Sequence, residues 1–255
     1  MLEQSTAEHY FDIKTVQLDM VRDRGYVIPD HEKHLLDSLN NFINYINDNR
    51  EKNNEYWNKK GFDLSNVDNE YMTKLKALNN ANKFDSYIPW QLYWNIDKTK
   101  VLLIYHIYHE KSIPVDFIRF LTNFNELIKK ALFNIEISNV LISNNELSTD
   151  SKKNLILLPK SKFFLEDELK YNPVKNVTNQ QHILLSPQEV TDLEKELKID
   201  KSKLPDIKID NPVVEYYGWE QGDVIKIVRT ERHVNMIAKK SQNYRIVKEL
   251  LSYNT

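Results

Sequence analysis

Three groups of residues in this chain carry side chains capable of acid–base or metal chemistry. Asp97, Glu110 and Lys111 flank an apolar run and loosely match the carboxylate–lysine sets of nucleases, although the separation of the second acid from the lysine is wrong for a (D/E)xK box. His31 and His34 bracket Glu32 with HxxH spacing, a pattern that solvated polar residues of a helix also produce. His106 and His109 lie three apart on or beside a strand, so they face opposite sides of a sheet and make a poor ligand pair. Tyr105 and Tyr108, on the same run, read as core aromatics. The sequence has no Gly-rich phosphate loop, no GxSxG elbow and no HExxH helix. It has no cysteine, which excludes disulfides and thiolate metal sites. No metal or other cofactor is expected.

The bulk properties read as those of a soluble globular chain. The 255 residues are 41% hydrophobic and 28% charged, enough to bury one large core or two smaller ones. The net charge of −2 gives no global basic field, so any contact with nucleic acid must be local. The first residues, MLEQSTAEHYFD, lack the apolar centre of a signal peptide, and the longest apolar run, 101–105, is too short to span a bilayer. No membrane contact is expected, and the Asn176–Thr178 sequon reads as chance. Asn- and Lys-rich tracts such as NDNREKNNEYWNKK reflect AT-rich coding.

The elements that would position these groups read as follows. Ser5 with Glu8 forms a capping-box pattern before a helix whose face carries Ile13, Val16 and Met20, with Gly25 at its C-terminal cap. Tyr26–Ile28 looks extended, and apolar spacing predicts a second helix over 32–47. Residues 48–86 are polar and Asn-rich, a candidate for loops, within a variable Asn-rich segment 48–95. VLLIYHIY at 101–108 predicts a buried central strand, 117–132 a helix, 139–143 a strand, and 162–165 a strand closing the sheet. A short helix is expected from Thr149. Strand and helix alternate, which predicts an α/β domain over 1–167.

A smaller α+β unit is expected over 168–255. Ser186, Pro187 and Glu189 combine a capping box with proline at the first helical position, and Val190, Leu193 and Leu197 form the buried stripe. Leu204-Pro205 forces extended backbone, and Asp210-Asn211-Pro212 is turn chemistry. Of only four glycines in the chain, Gly218 and Gly222 fall four apart here. Gly218 ends about one turn of helix, and Gly222 sits in a tight turn feeding the strand 224–228. Both junctions call for positive φ or a missing Cβ.

The string from Leu204 to Arg229 resembles the signature of the fifth common subunit of eukaryotic RNA polymerases and of its archaeal counterpart. Leu204, Pro205, Ile207, Pro212, Val213, Tyr216, Gly218, Gly222, Asp223, Val224, Lys226, Ile227 and Arg229 fall in register, and Tyr244, Arg245 and Val247 match the family's ending. Asn211 replaces the aspartate that precedes proline in the family. Upstream, 14–26 is similar to the eukaryotic helix ending in DRGY, and 139–153 to the family's strand–turn segment. Of the link that usually contains VPKH, Asn172 and His182 remain. The family's TPS loop is here Ser148-Thr149-Asp150, and its short hairpin is lengthened to TERHVNMIAKKSQN.

The resemblance implies a non-catalytic polymerase subunit. It implies an N-terminal jaw domain of nuclease-like fold beside downstream duplex DNA, and a C-terminal assembly domain docked on the largest subunit. Leu204, Pro205, Pro212, Val213, Tyr216, Gly218, Gly222, Arg229, Tyr244 and Arg245 are the docking candidates, with Pro212, Val213 and Tyr216 expected to present one apolar face. Ser148, Thr149, Lys152 and Lys153 are expected near DNA, with Asp150 opposing them or capping the following helix. The basic hairpin (Arg229, Arg232, Lys239, Lys240, Arg245 and Lys248 against Glu231) reads either as a partner contact or as a solvated loop. The implied location is the nucleus of a cell, or the factory or virion of a large cytoplasmic DNA virus. A metal-dependent nuclease and a free-standing transcription adaptor are the competing readings.

Overall fold

VLLIYHI, the apolar run of the sequence, is the centre of the first sheet. In the computed structural model, which describes residues 4–44, 90–107, 111–131, 135–176, 180–231 and 239–249, it forms β2 (Lys100–Ile107), flanked by β1 (Trp90–Trp94) and β3 (Glu136–Ser143). The order is β1-β2-β3-β4, with β4 at Ser161–Leu165; β1 runs antiparallel and the others parallel. Leu102, Leu103 and Ile104 are all fully buried, so β2 is covered on both faces, as an uninterrupted apolar strand requires. The helix α3 (Val115–Ala131) covers one face with Phe117, Leu121, Phe124 and Ile128, against Val101, Leu103 and Tyr105. Tyr105 is core, as expected.

The structure departs from the sequence reading of this unit at several points. β1 lies inside the variable segment 48–95, beyond its loop-like part 48–86, and pairs residue for residue with β2. Residues 45–89, which hold the rest of that segment, lie outside the described residues. The helix predicted over 32–47 is broken: α2 spans only Asp30–Lys33, turns follow, and residues 39–44 are helical again. The break follows from Ser38, whose hydroxyl accepts the Asn41 N–H at 3.1 Å and starts the second piece as a cap. Finally, α1 (Gln4–Asp23) already includes Ser5, so Ser5 is not its cap. Gly25 (φ 83°) lies just past the end of α1. The chain from Met1 to Tyr171 forms one unit, past the predicted 167, because a 3-10 turn over Glu166–Lys170 packs on α1 and Glu166 faces His9 at 3.4 Å.

The unit Asn172–Thr255 has its own four-stranded sheet, β5-β7-β8-β6. Here β5 is Gln180–Leu184, β6 Asp206–Lys208, β7 Val224–Glu231 and β8 Lys239–Lys248. Only the β6–β8 pair is parallel. The helix α6 (Pro187–Leu197) begins at the predicted capping box and covers one face, where Leu193 meets Leu204, Val224 and Ile246. Leu197, predicted as part of its buried stripe, is 42% exposed; Lys198 has already turned left-handed and ended the helix beside it. The other face is covered by α5 (Pro173–Asn176) and α7 (Pro212–Tyr217), whose Val213 and Val214 pack on Ile225, Ile227 and Val247.

The two glycines do what the turn chemistry demands. Gly218 (φ 71°) is the left-handed cap of α7, and the Trp219 N–H donates to the Val214 carbonyl at 3.0 Å, closing the helix end. Gly222 (φ 90°) turns the chain into β7, and its N–H donates to the Val247 carbonyl at 2.9 Å. A Cβ built on Gly222 would meet nothing within 4 Å. Conformation, not space, is the constraint at Gly222. Asn211 keeps the turn without the family's aspartate: its Oδ1 accepts the Val213 N–H at 3.0 Å as the cap of α7.

Candidate functional site

In the C-terminal unit, burial divides the residues predicted to dock. Leu204, Val213 and Tyr216 are interior, so Pro212, Val213 and Tyr216 do not share an exposed face. The reason is the sheet's two covers: α7 spends its apolar side on the unit's own core, and only Pro212 is left outside. Pro205 and Arg229 are also exposed, while Gly218, Gly222, Tyr244 and Arg245 are partly so. Arg245 donates from its guanidinium to the Asp206 carbonyl at 2.9 Å, tying β8 to β6.

Two of these residues, Pro212 and Arg245, meet at a groove of about 540 Å³ on the α7 side of the sheet. His182, Lys208 and Asp210 line it with them. Burial, and then the positive charge of Arg229, lowers the pKa of His182, so its imidazole is neutral at pH 7. Asp206 is paired with Lys248 at 2.7 Å, which leaves Lys208, Arg245 and Asp210 to set the groove's charge. The sequence marked Asp210 only as a turn residue and gave no signal for Lys208, because β6 is three residues long and has no periodicity to read.

Asn172 has a structural task. Its Oδ1 accepts the Val174 N–H at 2.9 Å, capping α5, and its Nδ2 donates to the Tyr216 hydroxyl at 3.1 Å. This bond helps satisfy a polar group in the core.

In the N-terminal unit the residues expected near DNA surround α4 (Thr149–Asn154). Ser148 is its cap: the hydroxyl accepts the Ser151 N–H at 3.2 Å and lies 2.8 Å from the Ser151 Oγ. Ser148 is therefore already engaged, and the capping role considered for Asp150 belongs to Ser148. Lys152 pairs with Glu146 at 2.8 Å, both exposed, and its ammonium lowers the Glu146 carboxyl pKa. Thr149 and Lys153 are exposed, and Lys153 forms no ion pair among the described residues.

Among the described residues, Asp97 and Lys111 are not brought together. Asp97 lies in the turn before β2 and Lys111 beyond its other end, so a strand of eight residues, roughly 25 Å at ~3.3 Å per residue, separates them. Glu110, Tyr108, His109 and the side chain of His31 lie outside the described residues, as does the hairpin tip 232–238. His34 is exposed and faces Asp37 at 3.0 Å. Among the described residues no three His, Cys, Asp or Glu side chains converge on a metal position, and no helix is long and apolar enough to cross a membrane.

Glu32 is not solvated at all. It is 4% exposed, and its Oε2 accepts from the Lys14 ammonium (3.0 Å) and the Tyr93 hydroxyl (2.8 Å). Lys14, 5% exposed, also donates to the Gln91 Oε1 at 2.8 Å. Gln17 donates its amide to Gln91 and Tyr93, which leaves its Oε1 to accept the His106 Nε2–H at 2.9 Å. Burial lowers the Lys14 pKa, and Glu32 works against that shift. The only sequence signal was a lysine and a glutamine three apart on the buried face of α1, pointing at partners far along the chain.

His106 supplies a pH prediction. Burial, and then the Lys14 charge, holds its pKa down to about 3, against an ordinary 6.5. Below pH 6.5 the unfolded chain binds a proton that the folded one does not, so the His106 contribution is full above 6.5 and lost as pH falls toward 3. The slope is at most about 1.4 kcal/mol per pH unit. His106→Gln should flatten this limb: wild-type and variant stability curves run parallel above pH 7 and converge or cross below pH 6. Curves that stay parallel down to pH 4.5 would show that His106 does not titrate in this way.

Comparison with known proteins identifies the class of the C-terminal unit. The family model for the RNA polymerase Rpb5 C-terminal domain matches residues 171–247, which coincide with that unit. The chain is 39% identical over 66 residues to DNA-directed RNA polymerase subunit Rpo5 of Archaeoglobus fulgidus, covering 26% of this chain and 82% of that one. It is 41% identical over 66 residues to subunit rpabc1 of DNA-directed RNA polymerases I, II and III of Dictyostelium discoideum, covering 26% of this chain and 34% of the relative. A third relative, DNA-directed RNA polymerase V subunit 5A of Arabidopsis thaliana, is 32% identical over 100 residues, or 37% of this chain and 45% of the relative. The chain belongs to the Rpb5 family of RNA polymerase subunits. Its match spans less than half the length of the two eukaryotic relatives.

Proposed function

We propose that this protein is a non-catalytic subunit of a multisubunit DNA-directed RNA polymerase. Its C-terminal unit docks on the largest subunit, and its N-terminal unit forms part of the jaw beside downstream DNA. The observation that carries the reading is the family match over 171–247, which falls almost wholly within the unit Asn172–Thr255, where Gly218 and Gly222 both hold positive φ. Pro205, Pro212, Arg229, Tyr244 and Arg245 are the docking residues that retain exposure. Leu204, Val213, Tyr216 and the two glycines act by shaping the unit that presents them. The compartment follows the polymerase: the nucleus if the protein is cellular, the viral factory or virion if it is viral. Purification of the tagged full chain, followed by mass spectrometry, tests the assignment. Recovery without any large polymerase subunit would favour the free-standing adaptor instead.

The DNA contact narrows to two residues. Thr149 offers a hydroxyl and Lys153 a charge with no ion pair among the described residues, whereas Lys152 must first give up Glu146. Such contacts position a duplex without reading its sequence. Polymerase carrying Lys153→Glu should lose about one unit of the salt-dependence slope of open-complex lifetime, since each phosphate contact contributes ~0.9. Lys152→Glu should change it less. Equal slopes for wild type and Lys153→Glu would remove this helix from the DNA path. The nuclease reading has its own assay: supercoiled DNA with magnesium or manganese, where cleavage abolished by Asp97→Asn would revive it.

A further inference from the structure

The strand β5 closes one end of the C-terminal sheet, and only one of its two sides is taken among the described residues, by β7. The direction of its backbone groups follows from one bond. The Leu185 N–H donates to the Val224 carbonyl at 3.0 Å, and the register sets these two residues opposite each other. In an antiparallel ladder, bonded and non-bonded pairs alternate. Ile183 and Gln181 therefore spend their N–H and C=O groups on β7. Gln180, His182 and Leu184 turn theirs outward, to an edge that no described strand occupies.

The two edges of this sheet are built differently. The opposite edge, β6, is three residues long, carries Asp206 and Lys208, and is followed by the Asp210-Asn211-Pro212 turn; Pro205 precedes it. Short length, charge and proline are the usual means of keeping an edge from pairing with another chain. β5, Gln-Gln-His-Ile-Leu, is longer and carries no Asp, Glu, Lys or Arg, with the nearest proline, Pro187, three residues beyond its end. It also carries exposed apolar side chains on both faces: Ile183 at 37% on the α6 side and Leu184 at 44% on the α7 side. Gln180 and His182 line the same groove as Pro212 and Arg245, so the open edge is continuous with the docking surface.

We propose that β5 accepts an extended segment of another polymerase subunit as a fifth strand. This rests on the polymerase reading above and names how that docking is made. The segment's main chain bonds to His182 and Leu184, and its apolar side chains cover Ile183 and Leu184, the mode known as strand addition. A second copy of this chain is the poorer occupant. Five residues make a strip about 17 Å long, too small by itself for the ~800 Å² each partner contributes to a standard interface. As one element of a larger interface it suffices.

Amide hydrogen exchange on the full chain, free and within the polymerase purified through its tag, tests the proposal. Incorporation should slow exchange at His182 and Leu184 by at least about tenfold, while the Ile183 amide, already bonded to β7, changes little. Leu184→Pro removes one outward donor and leaves the inner ladder intact, so it should lower incorporation with protection at Ile225 and Val247 retained. Polymerase recovered with His182 and Leu184 exchanging as in the free chain overturns the proposal and leaves the function standing. Protection that rises with concentration of the free chain would assign the edge to a second copy, and also overturns it. Recovery without polymerase subunits removes the function itself, and the composition of the purified material distinguishes that case from the others.

Discussion

Glu32→Ala should destabilise the N-terminal unit by about 3–5 kcal/mol, far more than a surface carboxylate would. Among the described residues, the substitution takes away the carboxylate paired with the Lys14 ammonium, while Gln91 and Tyr93 remain. Lys14 then either keeps an uncompensated buried charge or gives up its proton, and burial already pushes its pKa in that direction. Both routes cost the folded state. Replacing both partners, as Lys14→Met with Glu32→Leu, should return stability to near or above wild type, since a buried ion pair typically breaks even against apolar packing of similar size. Denaturant titration monitored by exchange at β2 amides reads this unit separately from the other. A loss under ~1 kcal/mol for Glu32→Ala would mean that water reaches the pair.

Tyr216→Ala should cost the C-terminal unit about 3–5 kcal/mol, and Tyr216→Phe about 1–3. The ring is fully buried, and its removal leaves a cavity beneath α7. The phenylalanine variant keeps the ring and deprives the Asn172 Nδ2 of its acceptor. The pair separates folding from docking. If Tyr216 only shapes the unit, the phenylalanine variant joins the polymerase at wild-type yield under conditions where it stays folded, and the alanine variant fails in proportion to its unfolded fraction. A folded Tyr216→Phe unit that no longer joins would place the hydroxyl at the partner.

The difference between what the sequence disclosed and what it withheld is one of range. The capping box at Ser186–Glu189, the left-handed positions at Gly218 and Gly222, and the uninterrupted run of β2 are local signals, each decided within a few residues. The break near Ser38 was equally local, but the spacing of Leu35, Leu39 and Phe42 outweighed one capping serine. The Lys14 cluster was out of reach in principle: it joins positions 14, 17, 32, 91, 93 and 106, and only the folded sheet brings them together. One expectation about the docking candidates failed in another way: Pro212, Val213 and Tyr216 do not share an exposed apolar face. Apolar positions in a helix as short as α7 show that a face is covered, not by what. In a small sheet with a helix on each side, Val213 and Tyr216 answer to their own core before any partner can use them. Pro212, at the start of α7, keeps its exposure, and Arg245 on β8 keeps part of its own.

The strand order β5-β7-β8-β6 bears on how the protein is made. Among the described residues, β5, which emerges from the ribosome early, pairs only with β7, and β6 pairs only with β8, whose last residue is Lys248. Until β8 has left the exit tunnel, β6 has no neighbour and the turn at Gly222 has no carbonyl to hold it, since that carbonyl belongs to Val247. The first unit, through Tyr171, depends on none of this and can fold while the rest is still being translated. The second unit thus completes its sheet only once β8 is made. Protease challenge of ribosome-bound chains stalled before and after β8 should show a resistant first unit in both and a resistant second unit only in the longer; early resistance of the second unit would show that three strands suffice.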